Sequence, residues 1–267
     1  MLVLRKNLFF WTYLMTSFIL FLRPAFAETA ILEQTLPSDI VVKEAYQPGT
    51  GLPVGKIKAV RGEVLVFHRD QAVAYRIQTG LPLYQGDTIW SRETGWILCA
   101  LVDDSQIALM PQTALRITNS YYNSTRKTVD LFLHLEQGSA RFKLMPRTDF
   151  SSYEFTVETQ TASIKAGRGD FIVEADPEAT QIIAFENSRL GVTDMAQPEE
   201  VTFLTDFQRT TIRKDPVSKT VKTVSLEELA SLKAQFHLTP RTNLFAAGAG
   251  STRGNEPRSE SPAEEEN

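Results

Sequence analysis

The chain has 267 residues, 42% of them hydrophobic, and a formal net charge of −4. That apolar content supplies a core for one domain plus tails. The acidic balance argues against a nucleic-acid binder, which needs a basic face to neutralise phosphates, and against docking on an anionic membrane surface.

Residues 1–27 read as an export signal. Arg5 and Lys6 form a short positive region, Leu8 to Leu22 is almost wholly apolar, and Ala25-Phe26-Ala27 is a small-x-small cleavage site ahead of Glu28. The apolar run is short of the ~20 residues that span a bilayer, so cleavage is favoured over an uncleaved anchor. The mature chain would carry 25 Lys and Arg against 32 Asp and Glu, a net charge of −7, with no stable membrane span. The expected location is periplasmic or extracellular. Cys99, the only cysteine, lies in the apolar run Trp96 to Leu101, so no internal disulfide is expected and the thiol reads as buried and inert.

Residues 28–53 hold Pro37, Pro48, Gly49, Gly51 and Pro53 around one short apolar stretch, Ile40-Val41-Val42, and read as a leader that is extended or loosely attached. From 54 to 213 the texture is period-two alternation between turn residues. Val64 and Val66 alternate with Glu63 and Leu65. Val129, Leu131, Leu133 and Leu135 alternate with polar and aromatic neighbours, Glu136-Gln137-Gly138 follows as a turn, and Ala140, Phe142 and Leu144 resume the pattern. The pattern predicts an all-β fold, an antiparallel β-sandwich or roll of many short strands. Residues 214–245 form a C-terminal extension with one helix over 225–236, where Ser225 and Glu228 make a capping box and Leu226, Leu229, Ala230 and Leu232 form an apolar stripe. Residues 246–267, ending Glu264-Glu265-Glu266-Asn267, read as a disordered acidic tail.

No local catalytic motif stands out. His68, His134 and His237 lie in separate segments, none at a metal-ligand spacing, and His134 reads as solvent-exposed on its strand. There is no G-x-S-x-G elbow. Asp103-Asp104-Ser105 has the composition of a hairpin turn. Arg168-Gly169-Asp170 spells an adhesion tripeptide, but a turn before Phe171 explains it more simply. No cofactor or metal is expected, and the chain reads as a non-enzyme. The segment Asn119 to Lys127 is polar around Tyr121 and Tyr122, with Arg126 beside them. Exposed tyrosine next to arginine is favoured at binding surfaces, so Tyr121, Tyr122 and Arg126 are the candidate partner surface, against the simpler reading that one tyrosine packs back on the sheet.

The order of elements from Gly55 to Val173 resembles the FecR-type domain, named after the periplasmic sensor of iron-dicitrate uptake. The resemblance rests on the strand pair from Gly55-Lys56-Ile57 to Arg61-Gly62-Glu63-Val64, and on Leu81 through Gly86-Asp87-Thr88-Ile89, its most specific block. It continues with Gly95-Trp96-Ile97-Leu98, Asp104 to Pro111, Leu135 to Gly138, and Thr159 to Val173. Two departures mark a divergent member. Asp104 stands where the family has glycine, and Arg168-Gly169-Asp170-Phe171 is one residue short of the family's Arg-Gly-Thr-x-Phe. Only seven residues precede the apolar run, so the family's cytoplasmic sigma-regulating segment is not expected. The resemblance implies a stand-alone exported sensing or scaffold domain that binds an envelope protein or, alternatively, a cell-wall or surface glycan. The glycan reading predicts a groove lined by Trp90, Trp96 or Tyr84. A hydrolase with His68 or His134 beside a carboxylate is the third alternative.

Overall fold

The alternating segments form strands, and a computed structural model describes residues 40–69, 72–145, 150–215 and 220–238. The export signal, residues 28–39 and the acidic tail lie outside the described residues. The first half of the fold contains β1 (Val41–Lys43), β2 (Gly55–Arg61), β3 (Val64–Phe67), β4 (Val73–Arg76), β5 (Pro82–Leu83), β6 (Thr88–Ser91), β7 (Trp96–Leu101), β8 (Gln106–Leu109) and β9 (Thr113–Asn123). There follow β10 (Thr128–Lys143), β11 (Ser152–Glu158), β12 (Ala162–Arg168), β13 (Asp170–Ala175), β14 (Ala179–Ala184), β15 (Arg189–Asp194), β16 (Gln197–Leu204), β17 (Gln208–Arg213) and β18 (Lys222–Thr223), and then α1 (Leu226–Gln235).

These strands make two sheets, as the sandwich expectation required. The first runs β1-β4-β3-β6-β9-β10-β11-β12-β15-β16. The second runs β5-β2-β7-β8-β10-β13-β14-β17-β18. Two pairings depart from an antiparallel pattern: β1 with β4 and β10 with β11 are parallel. In the parallel β10–β11 pair, Ser152 at the start of β11 lies opposite Thr128 at the start of β10. A shared hydrophobic core includes Leu133, Phe142, Phe155, Ile164 and Phe171, all at most 1% exposed. Phe142 stacks on Phe171 with ring centres 5.3 Å apart, and Phe155 meets Phe142 edge-on at 5.7 Å.

β10 belongs to both sheets, which corrects the turn expected at Glu136-Gln137-Gly138. Its first half pairs with β9 and β11, its second half with β8 and β13. The strand passes through Gly138, which has φ +90°, next to a register shift between Leu135 and Gln137. The signal that reads as a turn is real, but here the positive φ makes a bend inside a strand. A Cβ at Gly138 would lie 2.4 Å from Thr113 Oγ1 and 2.5 Å from Thr113 Cα. Gly138→Ala is therefore expected to cost about 1–3 kcal/mol, from the left-handed backbone and the forced shift of Thr113, read as a lower urea midpoint with an unchanged slope.

A second expectation needs correction. Leu65 is as buried as Val64 and Val66, so β3 is covered on both faces rather than on alternate residues. The segment from Ile40 to Pro53 is extended, with β1 beside β4 and Tyr46 OH donating to the Pro82 carbonyl at 2.7 Å.

α1 starts as the capping box predicts, with Ser225 Oγ accepting from the Glu228 N–H at 3.2 Å. Its buried stripe is narrower than expected. Leu229 and Phe236 are buried and Leu232 packs beside them, on Ile172, Ile183, Phe185 and Val224. Leu226 is 76% exposed and Ala230 is exposed, since none of the described residues covers those positions. The helix thus lies on the outer face of the second sheet, and His237 stacks on Trp96 at 4.6 Å. That cover explains why β7 is buried along its whole length and reads as an unbroken apolar run.

Candidate functional site

The candidate surface lies at the tip of the β9–β10 hairpin. β9 pairs with β6 only from Thr113 to Arg116, and beyond Ile117, which bonds to Asp87 and Gly86, it has no second strand beside it among the described residues. Residues 118–123 therefore form an open sheet edge held from one side by β10. Tyr121 is 45% exposed and sits opposite Asp130, with its hydroxyl accepting from Asn123 Nδ2 at 2.9 Å. Tyr122, one residue on, points to the other face. It is half-buried, opposite Val129, with its ring 5.7 Å from Phe150. The turn is fixed by Asn123 Oδ1 accepting the Arg126 N–H at 2.8 Å, and by Ser151 Oγ donating to the carbonyls of Arg126 and Lys127. Arg126 is exposed. The three residues share one hairpin tip, but the two tyrosines occupy opposite faces.

Several polar groups elsewhere are engaged in structural contacts. His68 and Asp87, which sequence spacing does not connect, form a buried pair with Nδ1 to Oδ1 at 2.7 Å. His68 Nε2 faces the Gln47 carbonyl at 2.7 Å, and Asp87 Oδ2 accepts the Tyr84 N–H at 2.8 Å. A carbonyl only accepts, so Nε2 carries a hydrogen, and a further proton lies between Nδ1 and the carboxyl. With both ring nitrogens engaged and no serine or cysteine among these partners, the arrangement staples the segment around Gln47 to the sandwich. It does not activate a nucleophile. Tyr46, Tyr75 and Tyr84 surround the ring. Burial, and then the Asp87 charge, pushes the Tyr46 hydroxyl above the ordinary phenol range.

Asp103 and Ser105 sit in the β7–β8 turn, as composition predicted, and both are buried. Asp103 Oδ2 accepts from Ser105 Oγ and from Tyr153 OH, each at 2.8 Å. Burial and the adjacent Asp103 carboxylate raise the Tyr153 hydroxyl well above its usual range. The adhesion-like Asp170 is sequestered, because Arg141 Nε and Nη2 donate to its two oxygens at 2.7 and 2.6 Å. Burial pushes the Cys99 thiol up to about 12, which makes it inert near neutral pH. His134 is half-buried, not exposed. Trp90, Trp96 and Tyr84 are 8%, 5% and 7% exposed, so they line no open groove. Among the described residues no group of three or more His, Cys, Asp or Glu side chains is poised for a metal, and no helix is long and apolar enough to cross a membrane.

Asp87, the buried partner of His68, is also the first residue of a match to a family model described as FecR protein, covering residues 87–188. Residues 87–188 are FecR-like. The match begins inside the Gly86-Asp87 block and continues past Val173 to Ser188, while the blocks from Gly55 to Gly86 precede it. Within the FecR-like segment, Asp104 has φ +68°, a left-handed conformation that glycine adopts freely and aspartate tolerates. The departure from the family's glycine therefore keeps the turn. Two crystal structures of a candidate anti-sigma factor from Parabacteroides distasonis are similar at 18% and 20% identity, with TM-scores of 0.44 and 0.43. Each covers 54% of this chain, and the aligned part spans 63% and 62% of those chains. No curated protein matches.

Proposed function

We propose that this protein is an exported, non-catalytic binding and scaffold module of the bacterial envelope, and that an envelope protein docks at the tip of the β9–β10 hairpin. The observation that carries the reading is the edge at residues 118–123, which no second strand covers among the described residues and which carries the exposed Tyr121 with the exposed Arg126 nearby. An extended partner segment adds to such an edge through main-chain hydrogen bonds, and flanking side chains give selectivity. The FecR-like match supports a sensing or scaffold role, and the full engagement of His68 supports binding over hydrolysis. The export-signal pattern read at residues 1–27 supports a periplasmic or extracellular location.

The test is in-cell cross-linking of the tagged protein, with mass spectrometry of what is captured. One envelope protein is expected to be enriched, and its yield to fall at least about tenfold for the Tyr121→Ala/Arg126→Ala variant, since interface anchors of these types each contribute on the order of 1–2 kcal/mol or more. Equal capture by the variant would move the partner surface elsewhere.

A further inference from the structure

A second surface lies at the far edge of the first sheet, away from the β9–β10 hairpin in strand order. There β16 is the last strand, and its exposed residues include Val201 at 49% and Phe203 at 66%. Phe203 pairs with Gly191, and its ring lies across the space a side chain at 191 would fill, 3.8 Å from an ideal Cβ. Gly191 in turn pairs with Lys165, and Arg189 pairs with Arg168. Lys165, Arg168 and Arg189 are all exposed and have no ion-pair partner among the described residues. A cleft of about 560 Å³ opens between Arg168, Ser188, Arg189, Phe203, Thr205 and Asp206. That volume is within the range of about 300–1,000 Å³ typical of small-ligand sites. The one carboxylate in the lining, Asp206, already accepts the Ser188 N–H through Oδ1 at 2.8 Å.

We propose that this cleft binds an anionic saccharide, with the guanidinium groups of Arg168 and Arg189 holding a carboxylate and the face of Phe203 meeting the apolar face of a sugar ring. Three unpaired cations on a chain whose total charge is negative make a local field that selects an anion. Arginine supplies a planar fork of donors matched to a carboxylate. An acidic peptide adding as a further strand is disfavoured. Thr193 pairs with Val201 and Asp194 with Gln197, so Pro198, Glu199 and Glu200 bulge out of the ladder. Proline, a bulge and like charges block edge-to-edge pairing and leave only Val201 to Leu204 regular. The site is separate from the hairpin tip, so it stands or falls without the protein-partner reading.

The experiment is calorimetric titration of the full chain, as exported, with short oligogalacturonate, its methyl-esterified neutral form, a sulfated oligosaccharide and oligoglutamate. Binding of oligogalacturonate over the ester and over oligoglutamate is expected. It should weaken with salt, fall at least about tenfold in Arg168→Ala/Arg189→Ala, and fall several-fold in Phe203→Ala with the circular dichroism unchanged. Equal binding of the sulfated sugar would keep the anionic-saccharide site and broaden its anion. No binding, binding indifferent to these substitutions, or equal binding of oligoglutamate would overturn it.

Discussion

Replacing Asp87 with alanine is expected to lower the unfolding free energy by about 3–5 kcal/mol, the usual cost of removing one member of a buried, hydrogen-bonded pair. The substitution leaves His68 Nδ1 without its hydrogen-bond partner and the Tyr84 N–H without its acceptor, in a site where the His68 and Asp87 side chains are at most 5% exposed. It should also loosen the segment around Gln47, which His68 holds through Nε2 and whose Gly49 lies against Tyr84 and His68. Limited proteolysis within residues 44–53 reads that loosening directly. Asp87→Asn keeps the shape and separates charge from packing.

The pair also sets a pH dependence. Burial raises the Asp87 carboxyl above its ordinary value of 3.8, and the hydrogen bonds from His68 and the Tyr84 N–H pull it only partly back. A folded-state value above the unfolded one means that the folded protein keeps a proton which the unfolded chain has released. This contribution to stability is complete below pH 3.8 and is lost as pH rises through the raised value. The urea midpoint of the wild type should therefore fall more steeply from acid toward neutral pH than that of Asp87→Asn. A wild-type midpoint that rises relative to the variant would mean a carboxylate ionised throughout.

The second large effect belongs to Arg141, which joins β10, β13 and the helix. Its guanidinium donates twice to Asp170 and once, through Nη1, to the Phe236 carbonyl at the end of α1 at 2.7 Å. It also lies 5.0 Å from the centre of the Phe185 ring. Arg141→Ala should cost about 3–5 kcal/mol, because Asp170 becomes a nearly buried charge with no partner and the helix loses its C-terminal tether. Hydrogen exchange gives the specific readout. Amides of residues 229–236 should lose protection in the variant while those of β12 and β15 keep theirs. The exposed pair of Lys233 with Glu186, whose carboxyl is lowered chiefly by that hydrogen bond, adds little by comparison.

The strands and the helix cap were legible because both are local. Period-two runs such as Val129 to Leu135 place one face in the core, and Ser225 with Glu228 satisfies a helix end within three residues. Gly138 was visible as a break, but whether a positive φ makes a turn or a bend depends on the strands on either side, Thr113 and β13. Leu65 broke its alternation for the same reason, since burial on a second face is a tertiary property. The His68–Asp87 staple had no local signal: nineteen residues separate its partners, and the third, Gln47, contributes a backbone carbonyl that no side-chain pattern encodes. The Lys165, Arg168, Arg189 and Phe203 surface was hidden likewise, because those residues become neighbours only when β12, β15 and β16 pair. The tyrosine segment was legible as a surface, though alternation along β9 sends Tyr121 and Tyr122 to opposite faces.

The central claim is that a protein partner docks at the hairpin tip, and site-specific photo-cross-linking in living cells tests it most directly. A photoreactive residue is placed at Tyr121 in one strain and at Phe203 in another. Position 121 is expected to yield a discrete protein adduct, while position 203, assigned to a saccharide, yields none. A protein adduct at 203 with none at 121 would contradict the account.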